Sequence, residues 1–514
     1  MTPPPLAGGP TPSTTRTVLY RYALLWLAGF IPLVLLVHGY HPFSEDAGIY
    51  VAGVRKLIDP ALYRPDAAFV LANTSLSLFA YLLAVVVRLT RIPLSYALLI
   101  AYLISIYTFL LACWSLARRI FASPAAQCSA VAFASACLTM PLAGTSLMLM
   151  DPYVTSRSFS TPLGLFALVA AIDRRWIRTG LLLLFTALMH PLMAVYAAAF
   201  VLLFILIDLS HFRLAWGLSL LGVAASAAIY LATSHAPISA AYRQAVLSRS
   251  YLFPSEWAWF EYLGLAIPLL MFAFACRRLG THTLPGKLCL AALMLGASAA
   301  LSAFLFVHPS GPYFLARLQL LRGFHMLYLV GVVLLGGFVG LRLLDSPNHS
   351  RRARLTAFTL LTAVAFSMFL AGCFAYPRSA HIELPRTAPR NPWQQAFLWI
   401  RANTPADAVF AANPDLVLLP GEDGQGFRVT AERSLLADYK DEGVVVVFPR
   451  LAAQWARERN AQDGLDRLTD AKRLARLRPL GATWLLLSSS APTSFPCPFR
   501  NAVSQVCRLV PAPK

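Results

Sequence analysis

SLSLFAYLLAVVVRLTRIP, residues 75–93, is the stretch on which the reading of the chain turns. Its apolar part, Ser75 to Leu89, is shorter than the ~20 residues an α-helix needs to cross about 30 Å of hydrocarbon. It also carries Arg88 and runs into Arg91, Ile92 and Pro93. This pattern predicts a partly embedded helix that returns to the face it left. The choice matters because of parity. With that segment not crossing, the basic clusters Arg118-Arg119, Arg174-Arg175-Arg178, Arg277-Arg278 and Arg351-Arg352-Arg354 all fall on the cytoplasmic side, as the positive-inside rule asks. If it crosses, all four fall outside.

Working outward, the apolar run from Val18 to Val37 ends at His38-Gly39-Tyr40 without a small-residue cleavage site, so it reads as a retained first span and not a signal peptide. Arg16 and Arg21 keep its N-terminus in the cytoplasm. Further spans are expected near residues 94–117, 124–144, 161–173, 178–190, 191–208, 214–233, 261–276, 287–307, 325–343 and 355–376. That makes about eleven, with an outer loop at 39–93. Residues 161–173 and 178–190 are short for spans, and His190-Pro191 divides one long apolar run into a helical hairpin. The segment 1–17, rich in Pro, Gly and Thr, is expected to be disordered and cytoplasmic.

The composition excludes a soluble fold for this part of the chain. Of 514 residues, 58% are hydrophobic and 13% charged, against about a quarter charged in soluble domains. The fold class is therefore a polytopic α-helical membrane protein, with a membrane domain over 18–376 and a small extracytoplasmic α/β domain over 377–514. The formal charge of +20 is spread over loops and helix ends. It is a topology signal and does not indicate a nucleic-acid partner.

In the tail, Trp393, Phe397 and Ile400 have helical spacing before the strand-like run Ala408 to Ala412. Leu435 to Tyr439, helices at 450–460 and 465–478 and a strand at 482–488 continue the alternation. The run Gly421-Glu422-Asp423-Gly424-Gln425-Gly426 follows no strand and reads as a mobile turn, not a phosphate loop. Six cysteines, at 113, 128, 137, 276, 289 and 373, lie in or beside spans and are expected to be reduced. Cys497 and Cys507 fall in an oxidising compartment and are expected to pair.

Chemistry is to be sought among the few outer carboxylates. Glu45 and Asp46 follow span one and offer a general base, or a divalent-metal ligand beside one. The alternative is a helix N-terminus capped by Ser44. Asp151 lies in an Asp-Pro turn six residues before Arg157, where turn initiation and interfacial anchoring compete with a functional reading. His190 sits at the hairpin tip, where a structural role competes with acceptor or metal binding. Arg157, Arg317 and Arg322 suit a lipid phosphate held at the boundary, or lipid head groups generally.

A long first outer loop with an acidic residue and an embedded helix, an aspartate in the second outer loop, many spans and an outer domain together resemble the GT-C superfamily of membrane glycosyltransferases. The tail segments 399–405, 427–428 and 433–440 are similar to outer domains of uncharacterised bacterial proteins of this type. The resemblance implies a multi-pass protein of the bacterial inner membrane that moves a sugar from a polyprenyl-phosphate donor to an acceptor on the outer face. Asp46 matches the catalytic carboxylate, with Glu45 second to it. Asp151 matches the residue that assists acceptor or metal binding; the resemblance fixes no cofactor and leaves a divalent metal open. The arginines would hold the departing phosphate. The chain lacks the His-Pro-Pro and Trp-Trp-Asp signatures of better-defined members, so the resemblance names neither sugar nor acceptor. Two other classes compete. A transporter or flippase predicts ionisable residues at mid-membrane and an internal repeat, and a non-catalytic assembly protein would share the scaffold alone.

Overall fold

A computed structural model describes residues 14–344 and 351–510. The expected disordered segment lies mostly outside these, but Thr14 to Thr17 form the first turn of a helix, which corrects the boundary at its inner end.

Helices account for the whole membrane domain: α1 (Thr14–His38), α2 (Ala47–Ile58), α3 (Ala67–Ala72), α4 (Phe79–Thr90), α5 (Leu94–Ile120), α6 (Pro124–Ala136), α7 (Ser156–Ile172), α8 (Trp176–Met189), α9 (Pro191–Asp208), α10 (Phe212–Thr233), α11 (Ala240–Leu247), α12 (Trp259–Leu279), α13 (Leu284–Phe306), α14 (Phe314–Leu318), α15 (Phe324–Leu343) and α16 (Arg351–Ala375). A helix stands at each of the eleven expected spans. By length and apolarity alone, seven of the described helices qualify as full spans, while the apolar part of α1, α7 and α8 are shorter. Two boundaries differ from the sequence reading. The run expected to span 124–144 is helical only to Ala136. It then turns through the short antiparallel strands β1 (Pro141–Leu142) and β2 (Leu147–Met148). Helix α7 begins at Ser156 because Thr155 forms a capping box with Ser158 there.

The segment 67–90 is bent by 101° at the break between its two helical parts. Both of its ends lie on the side of the tail. Arg88 Nη2, near the end of α4, donates to the carbonyls of Leu57 and Ile58, and Arg386 of the tail linker lies over Tyr96 in the first turn of α5. The break itself is held at the end of α8, where the Leu78 amide donates to the Leu188 carbonyl and the Ser77 hydroxyl to that of Met189. At the far ends of the helices, Arg119 pairs with Asp173, and Arg174 and Lys287 both pair with Asp208.

Small residues set the tightest packing. A Cβ on Gly340 would stand 2.9 Å from Ala126 Cα, and one on Gly336 3.0 Å from Ala130 Cα, so α15 and α6 meet almost backbone to backbone. In contrast, α10, α12 and α16 leave most of their apolar surface uncovered by protein, as helices facing lipid do.

The tail comprises α17 (Pro392–Asn403), β3 (Val409–Ala412), α18 (Phe427–Ala431), β4 (Ser434–Leu435), α19 (Tyr439–Val447), α20 (Ala452–Gln462), α21 (Asp470–Leu477), β5 (Trp484–Ser488), β6 (Phe499–Arg500) and β7 (Ser504–Arg508). The sheet order is β4-β3-β5-β7-β6, with β3 parallel to β4 and β5, and β7 antiparallel to β5 and β6. Alternation along β3 divides two cores. Phe410 and Ala412 pack with Trp393, Phe397 and Trp484, while Val409 and Ala411 pack with Leu477, Leu485 and Leu487. Cys497 is disulfide-bonded to Cys507 of β7, and the other six cysteines are free.

Candidate functional site

The ends of the helices nearest the tail enclose a cavity of about 760 Å³. Its wall includes Glu45, Asp46, Asp151, Arg157, His190, Arg317 and Arg322. These membrane-domain residues singled out from the sequence thus come to one place, from four separate segments of chain.

Arg157 organises the centre. The capping box fixes it on the first turn of α7, and its guanidinium lies between two carboxylates. Nη1 donates to Asp46 Oδ2 at 2.9 Å, while Nη2 and Nε donate to Asp151 Oδ2 at 3.0 and 3.2 Å. The loops carrying the two aspartates are themselves tied, since the His41 amide donates to the Pro152 carbonyl at 2.9 Å. Asp46 occupies the N-cap position of α2, yet its side chain makes no capping hydrogen bond, so helix capping does not account for its carboxylate. Its side chain is about one-third exposed, whereas that of Asp151 is 5% exposed. The environments push the two acids apart. Burial alone would raise Asp46, but Arg157 and Lys440 outweigh it and hold the carboxylate well below its ordinary range. For Asp151 burial prevails over Arg157 and the pKa rises.

The cationic residues have different degrees of freedom. Arg317 Nη2 donates to the Val447 carbonyl at 2.8 Å. Arg249 lies over the Tyr439 ring and against the buried Glu442. Both are therefore engaged in holding the tail. Arg322 makes no ion pair among the described residues, and its buried Nε has no hydrogen-bond partner there; nor has Oε1 of neighbouring Gln319. His190 caps α9, its Nδ1 accepting from the Met193 amide at 3.5 Å, while the residue also lines the cavity.

Sequence reasoning missed the tail's share of the cavity. Tyr439, Lys440, Gly443 and Val447 of α19 line it. Lys440 is ion-paired to Glu45, and its Nζ stands 3.7 Å from Asp46 Oδ1. Burial opposes the Lys440 charge, but Glu45 and Asp46 more than compensate and raise its pKa. The signal was present in Asp438-Tyr439-Lys440-Asp441, whose two aspartates form a capping box, so that a helix begins where a strand-like stretch was expected. The glycine-rich run 421–426 is also not the mobile turn expected. Gln425 Oε1 accepts from the Glu45 amide, Asp423 accepts from Ser379 and Asn391, and a Cβ on Gly426 would stand 2.7 Å from the Phe43 carbonyl. Close docking on the first loop orders it.

The donor set does not suit a divalent metal, which the sequence had left open. The guanidinium of Arg157 already fills the space between Asp46 and Asp151, and a metal ion would have to displace a cation. No group of three or more His, Cys, Asp or Glu side chains among the described residues is placed to hold an ion.

Residues 391–460 match the model of a domain of unknown function, DUF6798. This stretch runs from the start of α17 into α20 and includes Lys440. No curated protein matches the chain. Among solved structures, the archaeal oligosaccharyltransferase AglB from Archaeoglobus fulgidus, in complex with an inhibitory peptide and a dolichol-phosphate, is similar with a TM-score of 0.50 and 10% identity. The similarity covers 91% of this chain and 70% of that one. The chain is a multi-pass membrane protein with a GT-C-like fold, which the resemblance read from the loop layout anticipated.

Proposed function

We propose that this protein is a membrane glycosyltransferase that moves a sugar from a polyprenyl-phosphate donor to an acceptor on the outer face. The observation that carries the reading is the Asp46–Arg157–Asp151 cluster in the wall of a cavity that also exposes Arg322. Transfer from a glycosyl phosphate needs an acidic group for the incoming hydroxyl and positive charge for the leaving phosphate. Both are present within one enclosure. The AglB structure, whose bound molecules include a dolichol-phosphate, has the same fold.

In this mechanism Asp46 accepts a hydrogen bond from the acceptor hydroxyl and orients its oxygen toward the anomeric carbon. The acceptor oxygen–carbon bond forms as the carbon–oxygen bond to phosphate breaks, with inversion at that carbon. The hydroxyl proton passes to Asp46, and the electron pair leaves with the phosphate. Because Arg157 and Lys440 make Asp46 a weak base, proton transfer comes late, when bonding to carbon has acidified the hydroxyl. Arg157 holds Asp46 in place, Asp151 fixes Arg157, and Arg322 faces the departing phosphate.

A transporter would need ionisable groups at mid-membrane. The charged residues of this cavity instead come from loops, helix ends and the tail. The test is release of polyprenyl phosphate when the purified protein is mixed with lipid-linked sugars and a membrane extract that supplies acceptor. The wild type should release it and Asp46→Asn should not. Equal release by both proteins contradicts the assignment.

A further inference from the structure

The tail contributes one charged side chain to the cavity, Lys440. It is held differently from the arginines around it. Arg157 is clamped by three hydrogen bonds to two aspartates, Arg317 donates to a backbone carbonyl of the tail, and Arg249 is fixed against Tyr439 and Glu442. Lys440, whose side chain is 13% exposed, pairs with Glu45, whose side chain is 40% exposed, so the pair is open to water on its carboxylate side and is the less tightly held there. An ammonium on a four-carbon stem can also change partner without moving its backbone.

That backbone is well placed. Lys440 is the second residue of α19, inside the Asp438–Asp441 capping box. Asp441 in turn pairs with Arg428 at 2.8 Å. On the other side, Glu45 has a left-handed backbone (φ 49°) and donates its amide to Gln425. The tail therefore positions both members of the Glu45–Lys440 pair at the mouth of the cavity that Arg322 also lines.

Resting on the glycosyltransferase reading, we propose that Lys440 is a phosphate-binding residue supplied by the C-terminal domain, and that it exchanges the carboxylate of Glu45 for the donor phosphate. Glu45 then serves as the holder of Lys440 and not as a second catalytic base. The exchange also draws Lys440 away from Asp46 Oδ1, leaving Asp46 paired to Arg157 alone and more basic once donor is bound. Asp46 faces Arg157, Lys440 and Arg322 as cations and Glu45 and Asp151 as acids, so the loss of one cation favours proton acceptance. Donor arrival thus prepares the carboxylate for the acceptor.

The exchange makes a prediction of opposite signs. Binding of a twenty-carbon isoprenyl monophosphate to the full-length protein in nanodiscs should weaken roughly 10-fold in Lys440→Met, as loss of a charge-assisted contact does. It should recover in Lys440→Arg. In Glu45→Gln, which frees Lys440 from its competitor, binding should tighten by about 3- to 10-fold, and the double variant should behave as Lys440→Met. A contact that only fastens the tail gives the reverse, with Glu45→Gln weakening binding or leaving it unchanged, and that result overturns the inference while wild-type binding upholds the transferase reading. Failure of the wild type to bind the probe at all overturns both.

Discussion

Two arginines in this protein are each held between two aspartates. Arg157 joins Asp46 and Asp151, and Arg428 joins Asp66 and Asp441. The chemistry is the same, but the settings differ. Around Arg428 all three side chains are less than one-tenth exposed, and its remaining donors reach Leu435 O. Tyr63 of the loop after α1 donates to the Arg428 carbonyl at 2.6 Å. This cluster is sealed and fastens the tail to loop 39–93. Around Arg157 one carboxylate, Asp46, opens onto the cavity. An ion cluster becomes a site only where one member keeps a free face, and the comparison can be broken or sharpened at each arginine.

The largest effect is expected at the open cluster. Asp46→Asn keeps shape and hydrogen bonding but removes the proton acceptor. It should lower glycosyl transfer by roughly 10²- to 10⁴-fold while shifting the thermal midpoint in detergent little, because the pair it leaves is partly exposed. A parallel fall in stability would put Asp46 in the same class as Asp66. At the sealed cluster the expectation reverses. Arg428→Ala leaves Asp66 and Asp441 buried without their cation, each keeping only a backbone amide donor, and should cost about 3–5 kcal/mol, read as a lowered midpoint and faster proteolysis of the tail. Activity that survives with the tail released would remove Lys440 from the site.

A smaller effect is expected at Arg322, which makes no ion pair among the described residues. Arg322→Ala should raise the KM for donor by roughly 10- to 100-fold, equivalent to about 1.5–3 kcal/mol for a contact to a charged group, with no loss of stability. Unchanged KM would assign Arg322 to lipid anchoring. The smallest effect is one of pH. Burial pushes the carboxyls of Glu383 and Asp423, at the seam between linker and tail, up to about 7 and about 6. Their folded forms hold the proton more tightly than the unfolded chain. The stability they contribute is therefore complete below the ordinary carboxylate range and fades as pH rises toward 7. Tail docking followed by limited proteolysis should weaken modestly between pH 5 and pH 7.5, roughly by the amount linkage allows, and Glu383→Gln should flatten that slope.

Much of this arrangement was legible in the sequence because the bilayer constrains it strongly. Apolar run lengths marked a helix at every expected span, and a single short, Arg-bearing segment fixed parity. The structure shows a 101° bend within 67–90, which a re-entrant segment and a broken span share. The same parity rule brought Asp46, Asp151, Arg157, His190, Arg317 and Arg322 to one face, where they line one cavity. The tail was less legible because its packing is non-local. Helix α19 was not anticipated beyond Tyr439, because its Val-rich run, Val444 to Val447, has no helical periodicity and only the capping aspartates mark its start. Lys440 could be placed only by contacts across 395 residues of sequence. The glycine-rich run 421–426 carries no local ordering signal, since its order comes from Phe43 and Glu45 of the first loop.

The most direct test of the central claim is the lipid that the protein carries. Native mass spectrometry of the wild type in mild detergent, beside Arg322→Ala and Arg157→Ala, should show a co-purifying polyprenyl-phosphate sugar that both variants lose. Bulk phospholipid alone in all three samples would contradict the account.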